Sequence, residues 1–253
     1  MKTLLSLFDY SGTWSDPFFQ AGWNVIKWDI KLDELMDIHN IDSVEYCLEN
    51  FENVDGIIAA VPCTDFASSG ARWFNIKDQT GQTAASILLV SQVMKIVDVF
   101  EPTDPEYEGT FFWAIENPVG RIGSLTGLDN PYYFHPSEFA GWNSPSSEDL
   151  KKLSEIRTKN GKGVTPEESD FILQMEAYTK KTGLWGNFNR NMKKMPIEPV
   201  KGNEWGSPHM RLGGKSDRTK EIRSNTPKGF SRAFYEANKD YQSHKQTVQL
   251  PLF

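Results

Sequence analysis

Cysteine is almost absent from this chain: Cys47 and Cys63 are the only two in 253 residues. Two thiols in a chain of this size cannot form a disulfide framework, so both are expected to be reduced. Histidine is nearly as scarce, at 4, and no Cys or His spacing matches a metal site, so no metal is expected. Long apolar runs are missing too. No window approaches the roughly 18 uninterrupted apolar residues of a membrane span, and the opening MKTLLSLFDYSG runs into Asp9 without a small-residue cleavage site. These absences predict no membrane partner and a cytoplasmic location. Internal repeats and low-complexity tracts are also lacking, which excludes solenoids and fibrous arrays.

What is present points to a globular protein. Hydrophobic residues make up 38%, with 8 Trp and 16 Phe among the aromatics, enough to bury a sizeable core. The length fits one large α/β domain with a small second lobe. The net charge of −7 hides a strong polarity. Between residues 180 and 245 there are 15 Lys and Arg against 6 Asp and Glu, while the rest of the chain carries 12 against 28. The carboxyl-terminal segment therefore suits phosphate, or else forms a solvated basic face.

Along the first third, short continuous apolar runs alternate with amphipathic stretches: TLLSLFDY, an Asp-Pro-initiated stretch over 16–22, NVIKWDI and VDGIIAAVPC. Such runs separated by helical segments predict a buried parallel sheet with helices on both faces. The apolar spacing over 83–100 predicts a long crossover helix, followed by a further strand in TFFWAIENP. From 137 to 178 the composition turns polar around two predicted helices, 186–225 reads as loop-rich, and 227–238 returns to a helical pattern. In a doubly wound fold the ligand lies beyond the carboxyl ends of the strands, at a turn after strand one and an acid after strand two. Here the turn is expected at Ser11-Gly12 and the acid is Asp29, which either accepts from ribose hydroxyls or caps a helix. Gly-Thr-Trp-Ser stands where a glycine triplet would cradle a pyrophosphate, which disfavours a dinucleotide.

Two strand ends carry the chemistry. In AAVPCTDFASSG, residues 59–70, an apolar strand runs into Pro62, Cys63 and a Ser/Gly-rich loop. A thiol there lies at the ligand crevice and becomes a nucleophile if its pKa is lowered; the alternative is an inert buried cysteine, the role expected of Cys47. In FFWAIENPVGR, residues 111–121, another strand delivers Glu116, Asn117 and Pro118 to the same edge. A carboxyl in apolar surroundings favours its protonated form and can donate to a pyrimidine nitrogen; it could equally cap a helix or pair with Arg121.

Pro-Cys-x-x-Phe-x-x-x-Gly at 62–70 and Glu-Asn-Pro at 116–118 follow a strand, glycine, strand, Asp start. In this order they resemble the cytosine carbon-5 DNA methyltransferases, and most closely the compact phage and prophage branch. Three later segments agree: YTKKTGLWG from Tyr178, GGKSDRT from Gly213, and RSNTPKGF from Arg223 followed by AFYEAN from Ala233. The resemblance implies a Rossmann-like S-adenosylmethionine-dependent fold with a small loop-rich carboxyl-terminal lobe. It implies that Cys63 adds to ring carbon 6 while Glu116 binds the ring nitrogen and exocyclic amine. Phe8, Gly12 and Pro62 would line the cofactor site, Asp29 hold the ribose, and Asp37 or Asp42 the adenine amino group, Asp37 being preferred. Asn117, Lys180, Lys181 and Arg223 would contact the substrate. DNA is the implied partner, in a bacterial or phage-infected cell.

The implied organisation is a catalytic domain over 1–185 containing the polar insertion 137–178, a reduced target-recognition region over 186–225, a returning helix over 226–245 and a tail over 246–253. Three departures from the family pattern stand out: the degenerate glycine turn, Lys180-Lys181-Thr182 in place of an arginine-containing motif, and the short recognition region. Lysine supplies charge but not the planar fork of arginine. They keep open the same chemistry on free cytosine nucleotides, and a non-catalytic DNA-binding protein. The last five residues, Gln249, Leu250, Pro251, Leu252 and Phe253, resemble the peptide that replication proteins insert into the bacterial sliding clamp; the alternative is that they pack on their own domain.

Overall fold

Residues 1–32, 43–104, 106–107, 109–159, 163–201 and 224–241 are described by a computed structural model. Asp37, Asp42, Arg223 and the five terminal residues lie outside them. The apolar runs form a six-stranded sheet. Its strands are β1 (Thr3–Leu7), β2 (Asn24–Trp28), β3 (Gly56–Ala60), β4 (Phe112–Pro118), β5 (Tyr132–Phe134) and β6 (Thr182–Asn187), in the order β2-β1-β3-β4-β6-β5. β1 pairs in parallel with β2 and β3, β3 pairs in parallel with β4, and β6 runs antiparallel to β4. This is a Rossmann-like α/β sheet, as the alternation of apolar runs and helical stretches predicts.

Successive strand side chains face opposite sides of a sheet, so each buried strand feeds two cores. Leu5, Leu7, Ile57, Ala59 and Ile115 share one cluster with Leu89, Val90, Val93, Ile96 and Val97. Those last five lie on α4 (Gln82–Phe100), the expected crossover helix, at the spacing of an amphipathic face. By length and composition alone α4 could cross a membrane, but this face is committed to the sheet. Cys47, on α2 (Ser43–Asn50), is buried in the same cluster. On the other side Phe18, from α1 (Asp16–Gln20), stacks on Phe112 at 5.7 Å between ring centroids. It also meets Trp23 and Tyr235 edge-on at 5.1 and 5.0 Å. Tyr235 belongs to the last helix, α8 (Lys228–Asn238). Strand β1 stops earlier than the apolar run suggests: Phe8 takes φ 60, which turns the chain out of the sheet before Ser11-Gly12.

The chain divides into two compact units. The first comprises Met1–Tyr133, Thr182–Asn191 and Tyr235–Phe253, and the second Phe134–Lys181 and Met192–Phe234. In the second unit the two predicted polar-region helices are α6 (Ser147–Thr158) and α7 (Pro166–Gln174). Each begins with a reciprocal cap, Ser146 with Asp149 and Thr165 with Glu168, which satisfies amide groups the first turn would leave unpaired. Leu153, Ile156, Ile172, Ala177, Tyr178, Ile197 and Val200 form its core. Glu176, in a left-handed conformation at φ 53, accepts from the backbone of Lys228 and Gly229 and from Asn143, anchoring the start of α8. Burial pushes the Glu176 carboxyl up, and these hydrogen bonds offset only part of the rise.

Phe18 is fully buried and bridges α1, the sheet and α8. Phe18→Ala should lower stability by about 3–5 kcal/mol, the range for truncating a buried aromatic. Denaturant unfolding checks this, and a loss below about 1 kcal/mol would show that the sheet closes without the ring.

Candidate functional site

From β1 the chain crosses to β2 on one side of the sheet and then returns to β3 on the other. In open α/β sheets such a reversal is where ligands bind, in the crevice outside the carboxyl ends of the strands beside it, here β1 and β3. The turn after β1 is built on Asp9. Its buried carboxylate accepts from the hydroxyls of Ser6 at 2.9 Å and Ser15 at 2.7 Å and from the Ser15 amide at 3.1 Å. Gly12 closes the turn at φ +71, a conformation that suits glycine, and a β-carbon there would come within 3.3 Å of Lys27 Nζ. Phe8, half-buried, donates its amide to the Trp28 carbonyl at 2.8 Å, so the ends of β1 and β2 are tied together.

Asp29 follows β2 directly and is half-buried. It accepts from the Lys31 amide at 2.9 Å, which makes it a turn-former at the strand end. Lys31 lies over the exposed ring of Tyr10 at 5.1 Å from the centroid, joining the two turns. Phe8, Gly12 and Asp29 are thus assembled at one edge. Asp9 was missed in the sequence; its signal was an acid ending the first apolar run.

The next strand pair delivers the thiol and the carboxyl. Glu116 on β4 lies opposite Ala60 of β3, three positions before Cys63, and opposite Leu184 of β6 on its other side. Glu116 is only 6% exposed, while Cys63 is intermediate and Pro62 exposed. Asn117, fully buried, donates through Nδ2 to the Val61 carbonyl at 2.9 Å, pinning the end of β3 to the end of β4, and its Oδ1 has no partner among the described residues. Cys63 opens a tight turn in which its carbonyl accepts from the amides of Phe66 and Ala67 at 3.1 and 2.9 Å. The loop after β4 meets this turn so closely that a β-carbon on Gly120 would lie 1.8 Å from the Phe66 carbonyl oxygen. Only glycine fits there.

Asp65, two residues after Cys63, is buried and accepts from Lys77 at 2.8 Å and Ser86 at 2.6 Å. Burial works to raise its pKa, but hydrogen bonds from Lys77 and Ser86 and the Lys77 charge outweigh it and hold the carboxyl below its ordinary value. No spacing signal in CTDF singled it out. Arg121, considered above as a partner for Glu116, instead pairs with Asp78 at 2.8 Å. Cys47 contrasts with Cys63: burial pushes its thiol up to about 12, so it stays protonated and inert. Lys180 and Lys181 belong to the second unit and directly precede β6 in the chain, Lys180 half-buried and Lys181 exposed.

No family model matches this chain, and no curated protein does. Among solved structures it is similar to a protein encoded within a prophage in E. coli and provisionally described as a DNA modification methyltransferase, with 13% identity and a TM-score of 0.33. That match covers 74% of this chain, which spans 46% of the length of the other.

Because the Asp65 carboxyl is held below its ordinary value, its ionised form stabilises the folded state. That contribution is complete above the unfolded value of roughly 3.9 and fades as pH falls through the lower folded value. Asp65→Asn should therefore be less stable than wild type at pH 7, with the gap closing in acid. Unfolding curves at both pH values test this, and a gap independent of pH would mean the loss is one of packing.

Proposed function

We propose that this chain transfers a methyl group from S-adenosylmethionine to carbon 5 of cytosine in DNA, with Cys63 as covalent nucleophile. The observation that best supports this is the pairing of Ala60 with Glu116, which brings the Cys63 turn and a buried carboxyl to one edge of the sheet. The residues at the β1–β3 crevice suit the cofactor: a glycine at φ +71 in the first turn, a half-buried Asp29 after β2, and no glycine-rich phosphate loop for a ligand that has no phosphate. When bound, S-adenosylmethionine supplies an electrophilic methyl group on a sulfonium. Phe8, Gly12, Asp29 and Pro62 would hold it.

In this reading the Cys63 thiolate adds to ring carbon 6, and the electrons of the 5,6 double bond move toward carbon 5. Glu116 holds the ring nitrogen and exocyclic amine, giving its carboxyl proton to the nitrogen as charge builds there. Carbon 5 then takes the methyl group. Loss of the carbon 5 proton to a base and departure of the Cys63 sulfur restore the double bond, and the nitrogen returns its proton to Glu116. Asn117 serves by fixing Val61, and through it the approach of the Cys63 turn. A duplex target must be flipped out of the stack, at a cost of a few kcal/mol. The basic stretch over 180–245, with Lys180, Lys181 and Arg223, suits the phosphate backbone. A cytoplasmic location goes with this substrate.

Labelled methyl transfer to duplex DNA, single-stranded DNA and free dCMP tests the proposal. Label should enter DNA, vanish in Cys63→Ala, and fall by about 10²–10⁴-fold in Glu116→Gln, the range for removing a positioned acid. Label confined to dCMP would move the chemistry to nucleotides, and none on any substrate with cofactor bound would exclude catalysis.

A further inference from the structure

The turn that carries Cys63 and the loop that follows Glu116 leave different strands, yet one residue of that loop, Arg121, reaches across to the turn. We infer that Arg121 is a positioning residue for Cys63, holding the turn at a fixed place against the Glu116 strand. Arg121 Nε donates to the Asp65 carbonyl at 2.9 Å, and its own amide donates to the Phe66 carbonyl at 2.9 Å. Lys77 Nζ donates to the Thr64 carbonyl. Three successive carbonyls after Cys63 are therefore held by donors from outside the turn. Within the same turn the amides of Phe66 and Ala67 close back onto the Cys63 carbonyl. The turn cannot shift without breaking bonds on both sides of it.

The other end of the guanidinium is fixed as firmly. Nη1 donates to Asp78 Oδ2 and Nη2 to Thr83 Oγ1, both at 2.8 Å, and the group lies 3.7 Å from the centroid of the Phe74 ring. Phe74, Lys77 and Asp78 lie on α3 (Phe74–Gln79), and Thr83 and Ser86 on α4. Lys77 and Asp78, neighbours of opposite charge, thus take one loop each: Lys77 the Asp65 carboxylate and Asp78 the Arg121 guanidinium. The Ala67–Gly120 bridge and the bond from the Ser68 amide to the Val119 carbonyl, at 2.9 Å, complete the clamp. A planar fork that fills an acceptor at each tip is what lysine cannot supply. Small displacements of a nucleophile are costly, about 10²-fold in rate for 1 Å, so a clamp on this turn acts on turnover rather than on cofactor affinity.

The role as nucleophile rests on the proposed function, but the position of the Cys63 turn can be read without it. Alkylation of each cysteine by iodoacetamide, followed by mass spectrometry in Arg121→Met, Arg121→Lys and Asp78→Asn, provides that reading, with buried Cys47 as internal reference. Arg121→Met should raise the Cys63 alkylation rate about fivefold or more through local opening, leave Cys47 unlabelled, and not be rescued by Arg121→Lys. In the methyl-transfer assay it should lower kcat about 10²-fold with KM for S-adenosylmethionine unchanged. Cys63 alkylation at the wild-type rate with Cys47 protected would overturn the inference. If Cys47 labels too, the fold has opened and Asp78→Asn, at a more exposed position, decides: faster alkylation of Cys63 alone supports the clamp, and no change overturns it. Wild type that transfers no methyl group would remove the catalytic reading and leave the alkylation result standing.

Discussion

A strand buried on both faces must satisfy its backbone through its neighbours, and a parallel neighbour can be reached only by a crossover through another layer. In this protein that requirement sends the chain from β1 outward to β2 and then back across to β3. The reversal leaves the carboxyl ends of β1 and β3 without a connection running between them. The described candidate residues of the first unit lie at the ends of these strands and of their neighbours. Phe8, Asp9 and Gly12 follow β1, and Pro62 and Cys63 follow β3. Asp29 and Glu116 come from the flanking strands.

At that edge the fold takes several acids out of water and satisfies them in different ways. Asp9 is surrounded by hydroxyl and amide donors from Ser6 and Ser15, an arrangement that stiffens the first turn. Asp65 has a lysine and a serine and is held ionised by them. A buried carboxylate is costly unless its lone pairs are filled, so these contacts are what allow the acids to sit beside an apolar sheet. Glu116 comes from the middle of the sheet, between Ala60 and Leu184, where backbone pairing on both sides limits its movement.

The parallel part of the sheet was legible because its strands are continuous apolar runs, and α4 because its apolar residues recur at helical spacing. Strand β6 was not: its core, Gly183 to Gly186 around Leu184 and Trp185, has no β-branched run, and it forms because β4 offers it a backbone edge. The end of β1 was misjudged for a related reason. Phe8 at φ 60 is held by the Trp28 carbonyl, a partner twenty residues on that no local propensity reveals. Cys63, Glu116, Gly12 and Asp29 stood out because each ends an apolar run or fills a turn. Asp65 and Arg121 did not, since their roles consist of contacts with Lys77, Ser86, Asp78 and Thr83, all on other elements.

By itself the sequence determined the class of fold, the strands whose ends place the candidate residues and the burial of Cys47, because these depend on local periodicity and on which residue type follows an apolar run. The tertiary structure alone decided that Arg121 serves Asp78 and the Cys63 turn rather than Glu116, that Gly120 lies against Phe66, and that Asn117 ties β4 to Val61. Those outcomes rest on distances between segments roughly forty to sixty residues apart in the chain, set by strand register, and register is a property of the paired sheet rather than of any one strand.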